Sequence, residues 1–145
     1  MGREDTVRTL LNSIPIFTSR DWGSVERNGR AVELAKSIRA AVDQRDDAKM
    51  KELAKEIDYF MSPSFVLFKR MERLIERQGQ RVWRAEQDNA AWQSLIRRTS
   101  IVTRRRDTAE LAEIAPRIIA FLKQRNEHVL AGSLEEALAT CKARR

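Results

Sequence analysis

Residues 63–106 read PSFVLFKRMERLIERQGQRVWRAEQDNAAWQSLIRRTSIVTRRR, and this stretch decides the fold of the chain. Apolar residues recur along it every three or four positions, which is the spacing of one face of an α-helix. Ser62 before Pro63 is a helix-start signal, because serine caps a helix and proline suits its first turn. Gly79 is the one glycine of the stretch, and glycine inside a helix costs about 1 kcal/mol relative to alanine. The pattern therefore predicts one long basic central helix over 63–106, with a break near Gly79 as the alternative.

The charge of the protein is concentrated in this stretch. Residues 63–106 hold eleven Lys and Arg but only four acidic residues. Residues 1–62 hold eleven of each sign and residues 107–145 hold six of each, so the formal net charge of +7 belongs to the middle third. A basic segment of this kind favours a polyanionic partner, and we predict DNA or RNA.

The arginines follow the helical period. Arg70, Arg73, Arg77, Arg81 and Arg84 are spaced three or four residues apart and span an arc of roughly 80° on an ideal helix. Arginine suits phosphate recognition because its planar guanidinium donates two parallel hydrogen bonds. We predict a nucleic-acid-binding surface made of the following residues: Arg70, Arg73, Arg77, Arg81, Trp83, Arg84, Arg97, Arg98, Arg104, Arg105 and Arg106.

Two of these assignments have competing explanations. Trp83 would stack on a base or anchor a protein partner if it were exposed, whereas it would be structural if it packed under the N-terminal arm. Arg104–Arg106 lie at the predicted helix C-terminus, where the helix dipole stabilises cations without any partner.

Three further interpretations of the basic stretch stay open. The first is a protein-interaction or adaptor role, in which the basic face meets an acidic protein partner. The second is a solvated face that only keeps the helix soluble. The third is a homodimer through the 82–99 helix face, because Val82, Ala85, Asn89, Trp92 and Ile96 continue a spacing typical of a coiled-coil seam.

The rest of the chain predicts an all-α protein, a bundle of six or seven helices in a single domain over 1–145. Five glycines and three prolines are too few for the turns of an all-β fold. We expect an N-terminal arm and loop over 1–29, a helical hairpin over 30–61 and C-terminal helices over 107–145.

Prolines, glycines and capping residues set the expected ends of these helices. Pro15 is expected to stop the first helix, Asp46 to cap the second arm of the hairpin, and Gly132 to end the helix that follows Asp107. A last helix should begin at Ser133 and end in the basic residues Lys142, Arg144 and Arg145. Residues 108–123 have the small and apolar residues typical of a helix-turn-helix but lack its turn. A core helix kinked at Pro116 is therefore the preferred interpretation.

No residue pattern indicates catalysis, a cofactor or a metal. His128 is the only histidine and Cys141 the only cysteine, too few for a metal site or a nucleophile–base pair. No apolar run approaches the 18 residues of a membrane span, and a lone cysteine fits a reducing compartment. The sequence therefore predicts a non-enzymatic, cytoplasmic protein with no membrane partner.

Overall fold

A computed structural model describes residues 3–143, and every regular element among these residues is an α-helix. The all-α prediction is confirmed. The seven helices of the described part are α1 (Arg3–Ser19), α2 (Val25–Asp43), α3 (Asp47–Met61), α4 (Phe65–Gln78), α5 (Glu86–Arg105), α6 (Thr108–Gln124) and α7 (His128–Ala143).

The chain divides into two compact units, of which unit 1 ends at Phe65 and unit 2 begins at Val66. Each unit buries apolar side chains of its own. The division describes packing within each unit, so the single domain predicted over 1–145 stays a prediction.

Unit 1 is built by α1, α2 and α3, whose apolar faces meet around the buried side chains of Leu10, Leu34 and Phe60. The predicted start of α3 is confirmed, because the Asp46 side chain accepts a hydrogen bond of 3.1 Å from the Lys49 N–H. The expected start of α2 at residue 30 is wrong, since α2 begins at Val25.

Ser24 explains the earlier start of α2. Its side chain caps the helix by accepting from the Arg27 N–H at 3.1 Å. The Asn28-Gly29 pair, typical of a turn, therefore lies inside the first two turns of a helix. Asn28 instead supports the preceding loop, where its Oδ1 accepts from the Trp22 N–H at 2.7 Å.

Pro15 does not stop α1, which continues to Ser19. The proline side chain is exposed, while Ile14 and Phe17 on either side of it are buried. A proline inside a helix costs about 3 kcal/mol. Burying two large apolar side chains stabilises the fold by about 1.5–3 kcal/mol each, so the gain from packing exceeds the cost of the proline.

The prediction of a single long helix over 63–106 is wrong, and the alternative, a break near Gly79, is confirmed. Helix α4 ends at Gln78, and α5 begins only at Glu86. A Cβ atom at Gly79 would lie far inside van der Waals distance of the Ile75 carbonyl oxygen and 3.5 Å from Cγ2 of Ile96. The backbone at this point therefore needs glycine, and the chain leaves the helix there.

The C-terminal helices also differ from expectation. Helix α6 runs unbroken through the exposed Pro116, so no helix-turn-helix forms there. Helix α7 already begins at His128 and passes through Gly132, which corrects the expected start at Ser133. The predicted basic end of the last helix, Arg144 and Arg145, lies outside the described residues.

Asn126 sets the boundary between α6 and α7. It adopts the left-handed conformation with φ of 62°. Its N–H donates to the Lys123 carbonyl at 3.1 Å, and the N–H of Glu127 donates to the Leu122 carbonyl at 2.9 Å. This pair of hydrogen bonds is the Schellman motif, which ends a helix most often at glycine.

Within residues 3–143, no helix is both long enough and apolar enough to cross a membrane.

Candidate polyanion interface

Unit 2 carries the net charge of the protein. Its residues 66–145 include seventeen Lys and Arg against ten acidic residues, whereas residues 1–65 include eleven of each. The boundary between charge-balanced and basic sequence thus coincides with the boundary between the two units.

The predicted stripe of five arginines is divided by the end of α4. Arg70, Arg73 and Arg77 lie on α4, but Arg81 and Arg84 lie in the loop over 79–85. The prediction of one continuous stripe on one helix is therefore wrong, because the helical period that aligned these residues ends at Gln78.

An aromatic cluster explains the course of the loop. Trp83 packs edge-on against Trp92 of α5, with 5.5 Å between ring centroids, and against Phe121 of α6 at 5.2 Å. Trp92 is fully buried, and its Nε1 donates to the Gln78 carbonyl at 2.9 Å. Asn89 holds the loop from α5, since its side chain bonds both the N–H and the carbonyl of Trp83.

The burial of Trp83 decides between the two explanations of this residue. Its side chain is only 7% exposed, so no face of the ring is open to a base. The exposed alternative is wrong, and the contacts that bury Trp83 come from α5 and α6. Two residues of the face assigned to a homodimer belong to this cluster, because Trp92 packs against Trp83 and Phe121 and Asn89 binds the loop. The homodimer stays a prediction.

Two arginines cover this cluster. The Arg81 guanidinium lies 3.9 Å from the Trp83 ring centroid and pairs with Glu127 at 2.6 Å. The Arg125 guanidinium lies 3.5 Å from the Phe121 centroid and pairs with Asp88 of α5 at 2.5 Å. Cations over aromatic faces are stabilising, and both charges are neutralised by a carboxylate. Arg81 is therefore a structural residue.

The hydrogen bond from Arg125 lowers the pKa of Asp88 below its ordinary value, which keeps this carboxylate charged.

Further arginines of the predicted surface are paired within unit 2. Arg70 donates to the Ser133 carbonyl at 2.7 Å and lies 3.5 Å from Glu136 of α7. Arg98 pairs with Glu110 of α6 at 2.7 Å, and this hydrogen bond raises the pKa of Arg98 above its ordinary value. These contacts reduce the positive potential that either side chain presents to a ligand.

The remaining predicted arginines are exposed. Arg77 on α4 and Arg84 in the loop form no ion pair with any carboxylate of residues 4–142. Arg73 on α4 is exposed as well, and Arg106 is exposed at the end of α5. Arg106 has φ of 51° and closes α5 with the same left-handed geometry as Asn126 closes α6.

Helix α5 presents a basic face in its C-terminal half. Arg97 and Arg104 lie on the side opposite the buried Trp92 and Val102, with the partly exposed Ile101 between them. Arg105 lies beside Arg104 and is exposed too. Neither Arg97 nor Arg105 forms an ion pair with a described carboxylate, and Arg104 donates only to the Ser100 carbonyl, at 3.3 Å.

The sequence carried one signal for this face. Residues 89–106 contain five arginines and no acidic residue. That uninterrupted acid-free segment identifies α5 more directly than the spacing of the five arginines before it.

No three His, Cys, Asp or Glu side chains among the described residues lie together as metal ligands would. No protein-family model matches the chain. Comparison with curated proteins and with solved structures finds no significant similarity to either.

Proposed function

We propose that this protein binds nucleic acid through unit 2, and that the exposed side of α5 forms the centre of the binding surface. One observation carries the proposal: Arg97, Arg104 and Arg105 are exposed on a helix that has no acidic residue from Asn89 to its end. Arginines without carboxylate partners are free to donate to phosphate oxygens.

Helix stability alone accounts for only part of this arrangement. Cations in the last turn of a helix contribute about 0.3–1 kcal/mol through the helix dipole, which suffices to explain Arg104 and Arg105. The dipole effect falls off within one turn, so it does not reach Arg97, which lies two turns earlier. A polyanion that lies along the helix would use all three side chains.

The test is a triple substitution of Arg97, Arg104 and Arg105 to Gln. Binding to a fluorescent DNA duplex and to a single strand is measured by anisotropy over a range of salt concentrations. We expect the slope of log K against log salt to fall by about 0.9 for each duplex phosphate that the variant no longer binds, up to three phosphates. Circular dichroism checks that the variant remains helical, since exposed substitutions usually change stability by less than about 0.5 kcal/mol.

A matched control removes the same charge elsewhere. Lys36, Arg39 and Lys55 are exposed on α2 and α3 of unit 1, and their change to Gln also lowers the net charge by three. If binding depends on α5, this control keeps the affinity and the salt slope of the parent. Equally weakened binding in both variants would mean that only net charge matters, and the proposed surface would be wrong.

The adaptor role remains the second candidate, and an exposed apolar surface favours it. Val82 and Val129 are 81% and 87% exposed, the two most exposed large apolar side chains of the described residues. The ion pair between Arg81 and Glu127 joins the two segments that carry them. If the parent protein binds neither duplex nor single strand at about 50 mM salt, where phosphate contacts are strongest, the nucleic-acid proposal fails and the adaptor role replaces it.

A further inference from the structure

The side chains between the arginines and the start of α5 add chemical detail to this surface. The same helix side carries polar and small residues that are all exposed: Gln87, Ala90, Gln93 and Ser94. The surface therefore combines an arginine half at the C-terminal end with a half of mainly amide, hydroxyl and methyl groups at the N-terminal end. Glu86, in the first turn, is the only acidic residue exposed on the helix.

The exposed side of α3 shows what an ordinary solvated helix of this chain looks like. It alternates charges of both signs, with Lys51, Glu52, Lys55 and Asp58 all exposed. Such mixed charges are typical of a face that meets only water. The exposed side of α5 lacks this mixture over its whole second half, so solvation alone does not explain its composition.

The aromatic residues of unit 2 bear on the kind of nucleic acid. Proteins that bind single strands stack the bases on aromatic rings. Residues 66–145 contain four aromatic residues, and all four are buried: Phe68, Trp83, Trp92 and Phe121. Unit 2 thus offers no ring on which a base could stack, and this favours a double-stranded ligand.

The dimensions of α5 favour DNA over RNA. Its twenty residues extend for about 30 Å, and an α-helix fits the major groove of B-DNA, which is about 12 Å wide. The major groove of A-form RNA is deep and too narrow for side chains to read. Ala90 and Ser94 are small side chains on the exposed side of the N-terminal half of α5, so its backbone can approach the floor of a groove.

Resting on the function proposed above, we infer that α5 is a recognition helix that enters the major groove of duplex DNA. Arg97, Arg104 and Arg105 contact phosphates or guanine edges, while Gln93 and Ser94 reach the donor and acceptor groups of the base edges. Ile101, 38% exposed between the arginines, supplies an apolar contact of the kind that recognises a thymine methyl group.

The test adds bulk to the slim half of the helix without changing charge. Ala90→Leu combined with Ser94→Leu should weaken binding to duplex DNA by about tenfold or more while leaving the salt slope unchanged, because phosphate contacts set the slope. The matched control combines Ala120→Leu on α6 with Ala139→Leu on α7, which are exposed positions on other helices of unit 2. This control should bind as the parent does.

A second measurement locates the groove directly. A pool of DNA duplexes of random sequence is lightly methylated at guanine N7, a major-groove atom, and then bound to the protein. We expect the bound fraction to be depleted of 7-methylguanine. An equal content in the bound and free fractions would overturn the inference.

The outcomes separate this inference from the proposed function. Suppose that the variant with Ala90→Leu and Ser94→Leu binds as the parent does, while the triple Gln variant no longer binds. In that case α5 contacts only phosphates and the groove assignment is wrong. Tighter binding of the parent to single strands or to duplex RNA than to duplex DNA would also overturn it. If the parent binds no nucleic acid at all, the proposed function itself fails.

Discussion

Arg27 provides a sharp test of how unit 1 is held together, because it is an arginine of which only 4% is exposed. It lies on α2, and its guanidinium donates to the carbonyls of Phe60 and Ser62, the latter at 2.7 Å. These carbonyls belong to the end of α3, where the last carbonyls have no partner within the helix. The guanidinium also lies 5.5 Å from the Phe60 ring centroid and 5.3 Å from that of Phe65.

The contribution of Arg27 to the free energy of unfolding is the balance of favourable contacts and an unfavourable loss of hydration. Hydrogen bonds to a charged group contribute about 1.5–3 kcal/mol each, and the contacts with the two rings add about 1–2 kcal/mol. Dehydration of the guanidinium offsets several kcal/mol of this sum. We therefore expect Arg27→Met to lower the free energy of unfolding by about 3 kcal/mol, since it leaves both carbonyls unpaired. The free energy of unfolding of Arg27→Lys should lie between those of Arg27→Met and the parent, because an ammonium group lacks the forked geometry of the guanidinium.

Urea unfolding followed by far-UV circular dichroism measures this change. Arg39→Met on the exposed side of α2 is the control, and it should remain within about 0.5 kcal/mol of the parent. An Arg27→Met variant as stable as the control would refute the reasoning, because the two carbonyls would then need no guanidinium.

Two further predictions concern unit 2. Gly79→Ala should lower the urea midpoint, because its Cβ would meet the Ile75 carbonyl oxygen and the backbone must move; an unchanged midpoint would show that the turn adapts freely. Asp88 has a pKa that Arg125 lowers in the folded state, so its contribution to stability is present above about pH 4 and is lost as pH falls through the folded pKa. The stability difference between the parent and Asp88→Asn should therefore be constant near neutral pH and shrink in acid, and a pH-independent difference would contradict the assignment.

Periodicity and side-chain caps were enough to predict part of the fold. The sequence correctly placed α3 between Asp46 and Met61, and it placed the start of α6 at Asp107, whose side chain accepts from the Glu110 N–H at 3.1 Å. Both features are local, since a capping residue and the helix that it starts are adjacent in the chain.

Helix ends were predicted poorly wherever packing overrode local preference. Pro15 and Gly132 lie inside helices, although both residue types weaken a helix. Conversely, Arg45, Arg106 and Asn126 adopt the left-handed conformation at sites where helices of this chain end. Glycine, and less often asparagine, is the usual signal for that conformation, so nothing in the sequence marked Arg45 and Arg106, and the signal at Asn126 was missed.

The candidate site was predicted in composition but not in arrangement. The basic third of the chain does lie in unit 2, yet the helical wheel assumed continuity through Gly79 and so placed Arg81 and Arg84 on a face that does not exist. Neither of the two explanations offered for Trp83 was right. The ring packs against Trp92 and Phe121, which lie 9 and 38 residues further along the chain, and a local pattern does not reveal such contacts.

The distinction between structural and available arginines depends on contacts between helices. Arg70, Arg81 and Arg98 find carboxylates on α7, in the α6–α7 connection and on α6. No spacing along a single helix could reveal such partners, because each pair joins residues at least twelve positions apart. Arg97 and Arg105, exposed on α5, form no ion pair with a carboxylate of the described residues. The function of this protein is therefore best sought in the part of the basic stretch whose positive charge the fold leaves without a carboxylate partner.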